Sequence, residues 1–172
     1  MLIRSLNMKA LRLIIIMVSM ITLSGCDKKG MSVDEYIALL KSGKYDSSAD
    51  LPEFTSSDIP ALLKYRNETL LITAFPRNPI SSSLTQNCRL GIYVLWTIES
   101  IRAVATNSIY LQKRFPSQNP VLQLSNLSPV SDDQSHQIAA KAYFDWWEAN
   151  NGKDFAAFKA VDPLQGTAYK WH

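Results

Sequence analysis

Only a few side chains in this sequence are of the types, and at the spacings, that covalent chemistry needs. A thiol nucleophile requires a nearby base, and the chain offers Cys88 with two histidines, His136 and His172. Cys88 and His136 would form a dyad only if the fold brought them together, because spacing along the chain says nothing about proximity. An acid at position 132 or 133 would then orient the imidazole. Apolar neighbours favour the alternative, in which Cys88 is a small buried core side chain.

Asp132 and His136 also have the helical spacing of two metal ligands. A zinc site needs a third protein ligand at least, and the neighbouring sequence supplies none. Acidic residues in the first turn of a helix are stabilised by the helix dipole, which explains Asp132 without a metal. The sequence therefore predicts no metal ion and no cofactor.

Glu99 and Arg102 are a charged pair in the most apolar stretch of the chain. Side chains three residues apart on a helix lie on one surface, so the two can form an ion pair at the rim of the core. The same groups could instead bind a ligand. A further alternative is a hydrolase with carboxylates such as Glu99 or Asp145 as acid and base, which in a glycosidase lie about 5–10 Å apart.

Trp146 and Trp147 are adjacent, so on a helix they point about 100 degrees apart and cannot share one buried face. One of them should lie near the surface. An exposed Trp147 between two acidic residues could stack on a sugar or a peptide. The alternative is a tryptophan packed beneath the C-terminal tail, against Trp171 or Phe155, because large apolar surfaces are rarely left open.

The stretch Phe75–Ser81 contains two prolines, so it must be largely irregular. Phe75 and Ile80 would be costly to leave in water, and a loop held at two apolar points forms a defined wall. We interpret this wall as the edge of a binding site that includes Arg77. The predicted ligand-binding residues are Arg77, Glu99, Arg102 and Trp147.

Helices are the elements that the sequence predicts to position these residues. Capping boxes precede two of them, at Ser32–Glu35 and Ser131–Gln134, and apolar residues recur at helical spacing after each box. The apolar run Thr69–Phe75 is too short for periodicity to decide between a strand and a helix end. The aromatic tail 166–172 is predicted to dock on the domain. The predicted helices span about 33–42, 57–66, 86–105, 108–115, 131–150 and 154–160.

These elements predict an all-α fold: five to six helices in antiparallel pairs, in a HEAT-like arrangement or an irregular α–α bundle, with long packed loops. No internal repeat of fixed period is present, although helix pairs joined by proline-containing turns are compatible with degenerate HEAT-like stacking. The irregular stretch Pro116–Val130 is the longest of these loops, and its apolar residues indicate that it is packed.

The N-terminal residues have the pattern of a bacterial lipoprotein leader. Leu23–Cys26 resembles a lipobox, and it follows a basic n-region and a short apolar stretch, Leu13–Ile21, that is too short to span a bilayer. Cleavage before Cys26, whose thiol carries diacylglycerol, follows whether Met1 or Met8 is the start. We predict a signal peptide over 1–25, a lipidated cysteine and short tether over 26–31, and one domain over 32–172.

The charge balance excludes one class of function. Three of the 18 Lys and Arg residues lie in the leader, which leaves 15 basic residues against 15 acidic ones. With no basic surplus and no basic run interleaved with aromatics, nucleic-acid binding has no electrostatic basis. Cys88 is the second of two cysteines, and once Cys26 carries lipid it has no partner for a disulfide.

Four short motifs spread along the chain resemble an uncharacterised family of small Bacteroidota lipoproteins with an α-helical, HEAT-like domain. That family has no assigned activity, so the resemblance implies a fold and an envelope location and transfers no catalytic residue. The motifs are Asp58–Leu63, Phe75–Ser81, Leu95–Arg102 and Asp162–Trp171.

The sequence thus predicts a lipid-anchored protein of the bacterial cell envelope, attached to the outer membrane and facing the periplasm or the cell surface. We predict a binding or interaction module for a protein or a glycan rather than an enzyme. The alternatives are an envelope hydrolase that acts on glycan or peptide through paired carboxylates, and a structural subunit of an envelope complex.

Overall fold

The computed structural model describes residues 30–78, 86–108, 111 and 114–172, and Met31–His172 form a compact unit. Cys26 and residues 79–81 of the predicted wall lie outside the described residues. Within them, the α-helices are α1 (Val33–Lys41), α2 (Ile59–Leu63), α3 (Leu90–Ala105) and α4 (Asp133–Glu148), and the strands are β1 (Leu71–Ile72), β2 (Cys88–Arg89), β3 (Leu122–Leu124), β4 (Pro129–Val130) and β5 (Tyr169–Trp171). Short 3₁₀ helices span Ser56–Asp58 and Phe155–Ala157.

The first predicted helix is confirmed as α1. The hydroxyl of Ser32 accepts a hydrogen bond from the Glu35 amide at 3.2 Å, which satisfies one of the unpaired N–H groups of the first turn. After the helix ends, Gly43 has φ +65°, the left-handed conformation that glycine adopts without steric cost. One face of α1 is buried against the core, as the apolar spacing predicts.

Helix α3 is the centre of the core. Twelve consecutive residues, Leu90–Ile101, are buried, so no face of this part of the helix meets water. The helix begins later than the predicted residue 86, because Cys88 and Arg89 pair with β1 instead. Main-chain carbonyl groups just before β1 accept hydrogen bonds from the first N–H groups of α3. One of these bonds runs from Leu90 N–H to Leu70 O, at 2.8 Å.

The prediction of antiparallel helix pairs is wrong for the two long helices. The start of α4 at His136 meets the start of α3 at Gly91, and further along both helices Tyr143 contacts Glu99. The two helices therefore run parallel, which requires the chain to return between them. The segment that contains β3 and β4 makes that return.

The fold is mixed α/β, so the all-α and HEAT-like predictions are wrong. β1 and β2 form a two-stranded antiparallel sheet, and a second antiparallel sheet has the order β4–β3–β5. No strand is longer than three residues in the described part of the chain, too short for an alternating pattern to be visible. The tail does dock, as predicted, but it does so as β5 on β3 rather than as an irregular segment.

Two predicted short helices are also absent from the described residues. The described residues of the segment 108–115 form no helix, and Arg114 among them has φ +66°. Its guanidinium donates to the carbonyl oxygens of Pro52 and Phe54, at 3.0 and 2.8 Å, which fixes this non-helical turn on the core. The segment 154–160 contains only the 3₁₀ helix Phe155–Ala157.

No helix in the described residues is both long and apolar enough to cross a membrane.

Candidate functional site

The structure brings two of the four predicted ligand-binding residues together. Glu99 and Arg102 form an ion pair, in which Arg102 Nη1 lies 2.7 Å from Glu99 Oε1 and 2.5 Å from Oε2. The rest of the guanidinium is also used, because Nε donates to Lys159 O at 2.9 Å and Nη2 donates to Val161 O at 2.8 Å. Every nitrogen of Arg102 therefore has an acceptor within the protein. The prediction of a rim ion pair is confirmed.

A chain of hydrogen bonds extends this ion pair to the C-terminal strand. The Tyr143 hydroxyl donates to Glu99 Oε1 at 2.5 Å, and Trp171 Nε1 donates to the Tyr143 oxygen at 2.7 Å. Burial and the Glu99 carboxylate raise the pKa of Tyr143 well above its ordinary value, so the phenol stays protonated and keeps donating. We refer to Glu99, Arg102, Tyr143 and Trp171 as the latch.

A cavity of about 410 Å³ lies over the latch. Its lining includes two carboxylates, Glu99 and Asp162, and two lysines. The other predicted acid, Asp145, is paired with Lys141 and lines a different hollow. Glu99 already accepts hydrogen bonds from Arg102 and Tyr143, so both of its oxygens are engaged within the protein.

The tryptophan pair behaves as the helical geometry requires. Trp146 is buried and Trp147 is half-buried, and both lie against Phe158, with ring centroids 5.2 and 5.9 Å away. Trp146 also meets Phe155 at 6.5 Å. Packing against Phe158 thus involves both rings, while the Trp171 indole N–H donates to Tyr143.

Trp146 carries the buried side-chain N–H without an acceptor in the described part of the chain. The residue lines a hollow of about 430 Å³ with Asp145, Asn150, Asp162 and other polar groups. The indole nitrogen itself is shielded from solvent, so the hollow does not offer this group to a ligand in the present conformation.

Arg77 does not join the latch cavity. Its Nη2 donates to Gln86 O at 3.1 Å, and its guanidinium lies 4.7 Å from the centre of the Phe75 ring. Phe75 is buried, as predicted for an anchored loop, and Asn78 Nδ2 donates to Pro116 O at 3.3 Å. The described half of the predicted wall is therefore fixed on the core, at a place separate from Glu99 and Arg102.

Sequence reasoning missed a second cavity, of about 390 Å³, between the two sheets at the starts of α3 and α4. We call it the β2–β4 groove. Apolar and polar side chains contribute to it in similar measure, and its lining contains both members of the hypothetical thiol–imidazole dyad. The lining residues used below are Leu71, Cys88, Arg89, Leu122, Pro129 and His136.

The dyad is not poised for catalysis. Burial raises the pKa of the Cys88 thiol to about 12, and the thiol lies 3.4 Å from Pro120 O, to which it donates. His136 Nε2 donates to Arg66 O at 2.8 Å, and burial lowers the pKa of the imidazole, which stays neutral. A thiol whose pKa is raised ionises reluctantly, and an imidazole whose pKa is lowered is a weaker base, so neither group is activated for catalysis.

Asp132 and Asp133, the acids proposed to orient His136, serve the helix and its neighbours instead. Asp132 Oδ1 accepts the Ser135 amide at 2.7 Å and caps α4, and this hydrogen bond lowers the pKa of its carboxyl. Asp133 pairs with Arg89 at 2.5 Å. In the described residues no group of three or more His, Cys, Asp or Glu side chains is arranged to hold a metal ion.

The molecule is thus a small mixed α/β domain, built around one buried helix, whose acids and bases are largely engaged in structural contacts. The chain belongs to the family defined by a domain of unknown function, DUF4943, whose model matches residues 27–172. This match confirms the predicted resemblance only in that the family has no assigned activity. No curated protein and no solved structure matches the chain.

Proposed function

We propose that this chain is a lipid-anchored protein of the bacterial envelope whose folded domain is a non-catalytic binding module. In this proposal Cys26 carries the lipid, and the tether up to residue 31 keeps the domain close to the membrane, at the outer membrane on its periplasmic or external face. The domain then presents its surface to a protein or a glycan of the envelope.

Two features support the anchor. Leu23–Cys26 has the small residues that a lipoprotein signal peptidase requires before the modified cysteine. The family match begins at residue 27, directly after that cysteine, so the shared domain coincides with the expected mature chain. Two or three acyl chains on one cysteine make attachment effectively permanent, whereas a single chain binds only marginally.

The observation that carries the binding role is the β2–β4 groove. It combines an apolar floor with a polar rim, the composition typical of recognition sites. The groups that could perform chemistry are held elsewhere or inactive: Glu99 is in the latch, Cys88 is a protonated thiol, and His136 is bound to a carbonyl. These contacts support binding in the groove rather than turnover.

Metabolic labelling tests the anchor. Cells that express the full chain are fed an alkyne-tagged fatty acid, and the label on the protein is read on a gel. We expect the wild type and Cys88→Ser to be labelled and recovered with membranes, and Cys26→Ser to be unlabelled and unprocessed. Cys88→Ser is the matched control, because it makes the same substitution at the other cysteine. An unlabelled wild-type protein would refute the anchor.

The hydrolase alternative is tested on the same preparation. It rests on the two carboxylates of the latch cavity, so purified protein is incubated with peptidoglycan fragments and with envelope peptides, and products are followed by mass spectrometry. The binding proposal predicts no turnover. Products that disappear in Glu99→Gln and in Asp162→Asn, with the fold intact, would reverse the assignment.

A further inference from the structure

We propose that the β2–β4 groove binds an extended segment of a partner polypeptide, which lies along the open edges of both sheets and places an apolar side chain in the groove. The inference rests on the proposed binding function and names its partner class. Three observations carry it: the open edges, the apolar floor, and exposed leucines on the elements that form the walls.

Both sheets present an edge strand to the groove. β2 pairs only with β1, and β4 is the outer strand of its sheet in the described residues, while Arg89 and Pro129 line the groove. In antiparallel pairs only alternate residues bond to the partner strand. Leu90 N–H bonds to Leu70, so the N–H of the preceding residue, Arg89, faces away from β1.

The same alternation of bonded and non-bonded residues sets the direction of the main-chain groups on β4, the opposite wall of the groove. Leu124 N–H bonds to Ser128 O at 3.0 Å, so the next residue of β4, Pro129, turns its carbonyl away from β3. Proline has no N–H to offer, so this wall supplies an acceptor and the β2 wall supplies a donor. An extended peptide carries one donor and one acceptor per residue and complements both, as in strand addition.

The floor of the groove suits a side chain. Ile92 of α3 and Leu122 of β3 are buried apolar residues that line it. At the rim, Arg89 is paired with Asp133, and Asp132 caps α4 through the Ser135 amide, so both charged side chains of the described lining already make contacts within the protein. Neutral main-chain groups with an apolar side chain match this lining better than a charged small molecule does.

Exposed leucines mark the two walls as a contact surface. Leu71 on β1 lines the groove and is 57% exposed. Leu127, at the tip of the β3–β4 hairpin, is 62% exposed and has φ +68°, a conformation that is usual for Gly or Asn and strained for leucine. The side chain of Leu127 is exposed, so it adds no packing that would offset this strain in the isolated domain. This points to a contact with a partner.

Selection of peptides tests the inference. Random linear dodecapeptides displayed on phage are panned against the full-length chain in detergent micelles, and enriched peptides are synthesised and titrated by fluorescence anisotropy. The test variant is Leu71→Asp. The matched control is Leu70→Asp, because Leu70 is adjacent and 45% exposed but does not line the groove. Each peptide is also made with alternate amides N-methylated, which keeps its side chains and removes main-chain donors.

We expect enriched peptides to bind the wild type and Leu70→Asp equally, and to lose about tenfold or more in affinity with Leu71→Asp and on N-methylation. Circular dichroism checks that both variants fold. Peptides that bind Leu71→Asp as well as the wild type would overturn the groove assignment and leave the binding module standing. Equal binding of N-methylated peptides would overturn strand addition. Failure to enrich any peptide would overturn the inference, while the labelling of Cys26 remains a separate test of the anchor.

Discussion

Gly91 shows how one residue permits the contact between the two long helices. A Cβ atom at this position would lie well inside van der Waals contact of both Arg66 O and His136 Nε2, which are themselves joined by a hydrogen bond. Any side chain here must push apart a main-chain carbonyl and a buried ring. The absence of a side chain at Gly91 thus lets α4 approach α3 closely.

We therefore expect Gly91→Ala to destabilise the protein by about 3 kcal/mol, at the upper end of overpacking effects, because one of the two clashing groups is backbone. Urea unfolding followed by tryptophan fluorescence measures the loss. Gly30→Ala is the control, since nothing lies within 4 Å of the added methyl group there. A free energy of unfolding for Gly91→Ala equal to that of the control would show that the helices separate at little cost.

His136 makes the stability of the domain depend on pH. Burial lowers its pKa from the ordinary value of 6.5, and this effect outweighs the hydrogen bond to Arg66 O, which raises the pKa; Arg89 lowers it and Asp133 raises it by smaller amounts. The unfolded chain thus takes up a proton near pH 6.5 before the folded protein does. The free energy of unfolding is constant above that pH and decreases as the pH falls below it.

The measurement is a series of urea titrations between about pH 7.5 and about pH 5.5, a window in which ordinary carboxylates stay ionised. His136→Gln keeps an N–H group for Arg66 O and cannot titrate, so we expect its stability to be nearly flat over this range. A wild-type protein that is equally stable at both ends, or a variant that retains the slope, would contradict the assignment to His136.

At the scale of elements, the β3–β4 hairpin is built against local preference. Leu127 N–H bonds to Leu124 O, and Leu124 N–H bonds to Ser128 O, which closes a tight loop with Leu127 at its left-handed position. That position strains a branched side chain, and here the side chain also projects into solvent. The fold alone would favour glycine or asparagine.

We expect Leu127→Asn to raise the free energy of unfolding by roughly 0.5–1 kcal/mol, because asparagine tolerates the left-handed region. The same variant should weaken binding of the selected peptides if the hairpin tip contacts the partner. Val161→Asn removes a comparably exposed apolar side chain, and at this site we expect no gain in stability. A loss of stability in Leu127→Asn would mean that the leucine is needed for the hairpin itself.

Elements with strong local signals were predictable, and elements made by distant pairing were not. The capping box at Ser32 and the apolar run of α3 fix their helices from sequence alone, because caps and burial act locally. β1 and β2 are two residues each and exist because residues 71–72 meet 88–89, a contact that no local pattern encodes. β1 lies within Thr69–Phe75, where the sequence left a strand or a helix end open, whereas β2 and the groove beside it were missed for the same reason.

The candidate sites follow the same division. The Glu99 and Arg102 pair was predictable because both residues lie on one helix at a fixed spacing. Tyr143 and Trp171, which complete the latch, come from a second helix and from the C-terminal strand. Their aromatic character indicated burial, but only the parallel arrangement of α3 and α4 brings Tyr143 to Glu99.

At the scale of the whole molecule, the latch joins α3, α4 and β5 into one unit. Glu99, Tyr143 and Trp171 come from these three elements, and β5 in turn pairs with β3 of the hairpin sheet. A disturbance at the C-terminus should therefore reach the central helix.

A double-mutant cycle measures this connection. Trp171→Phe removes the indole N–H but keeps an aromatic ring, and Tyr143→Phe removes the hydroxyl that bridges Trp171 to Glu99. We expect each variant to lose about 1–3 kcal/mol, because a buried polar group is left without its partner. The double variant should lose less than the sum of the two, by about 1 kcal/mol, because the second substitution removes an interaction that is already broken. Strictly additive losses would mean that the tail is held by strand pairing with β3 alone, and the latch would then be an ion pair of α3 with no role in fastening the C-terminus.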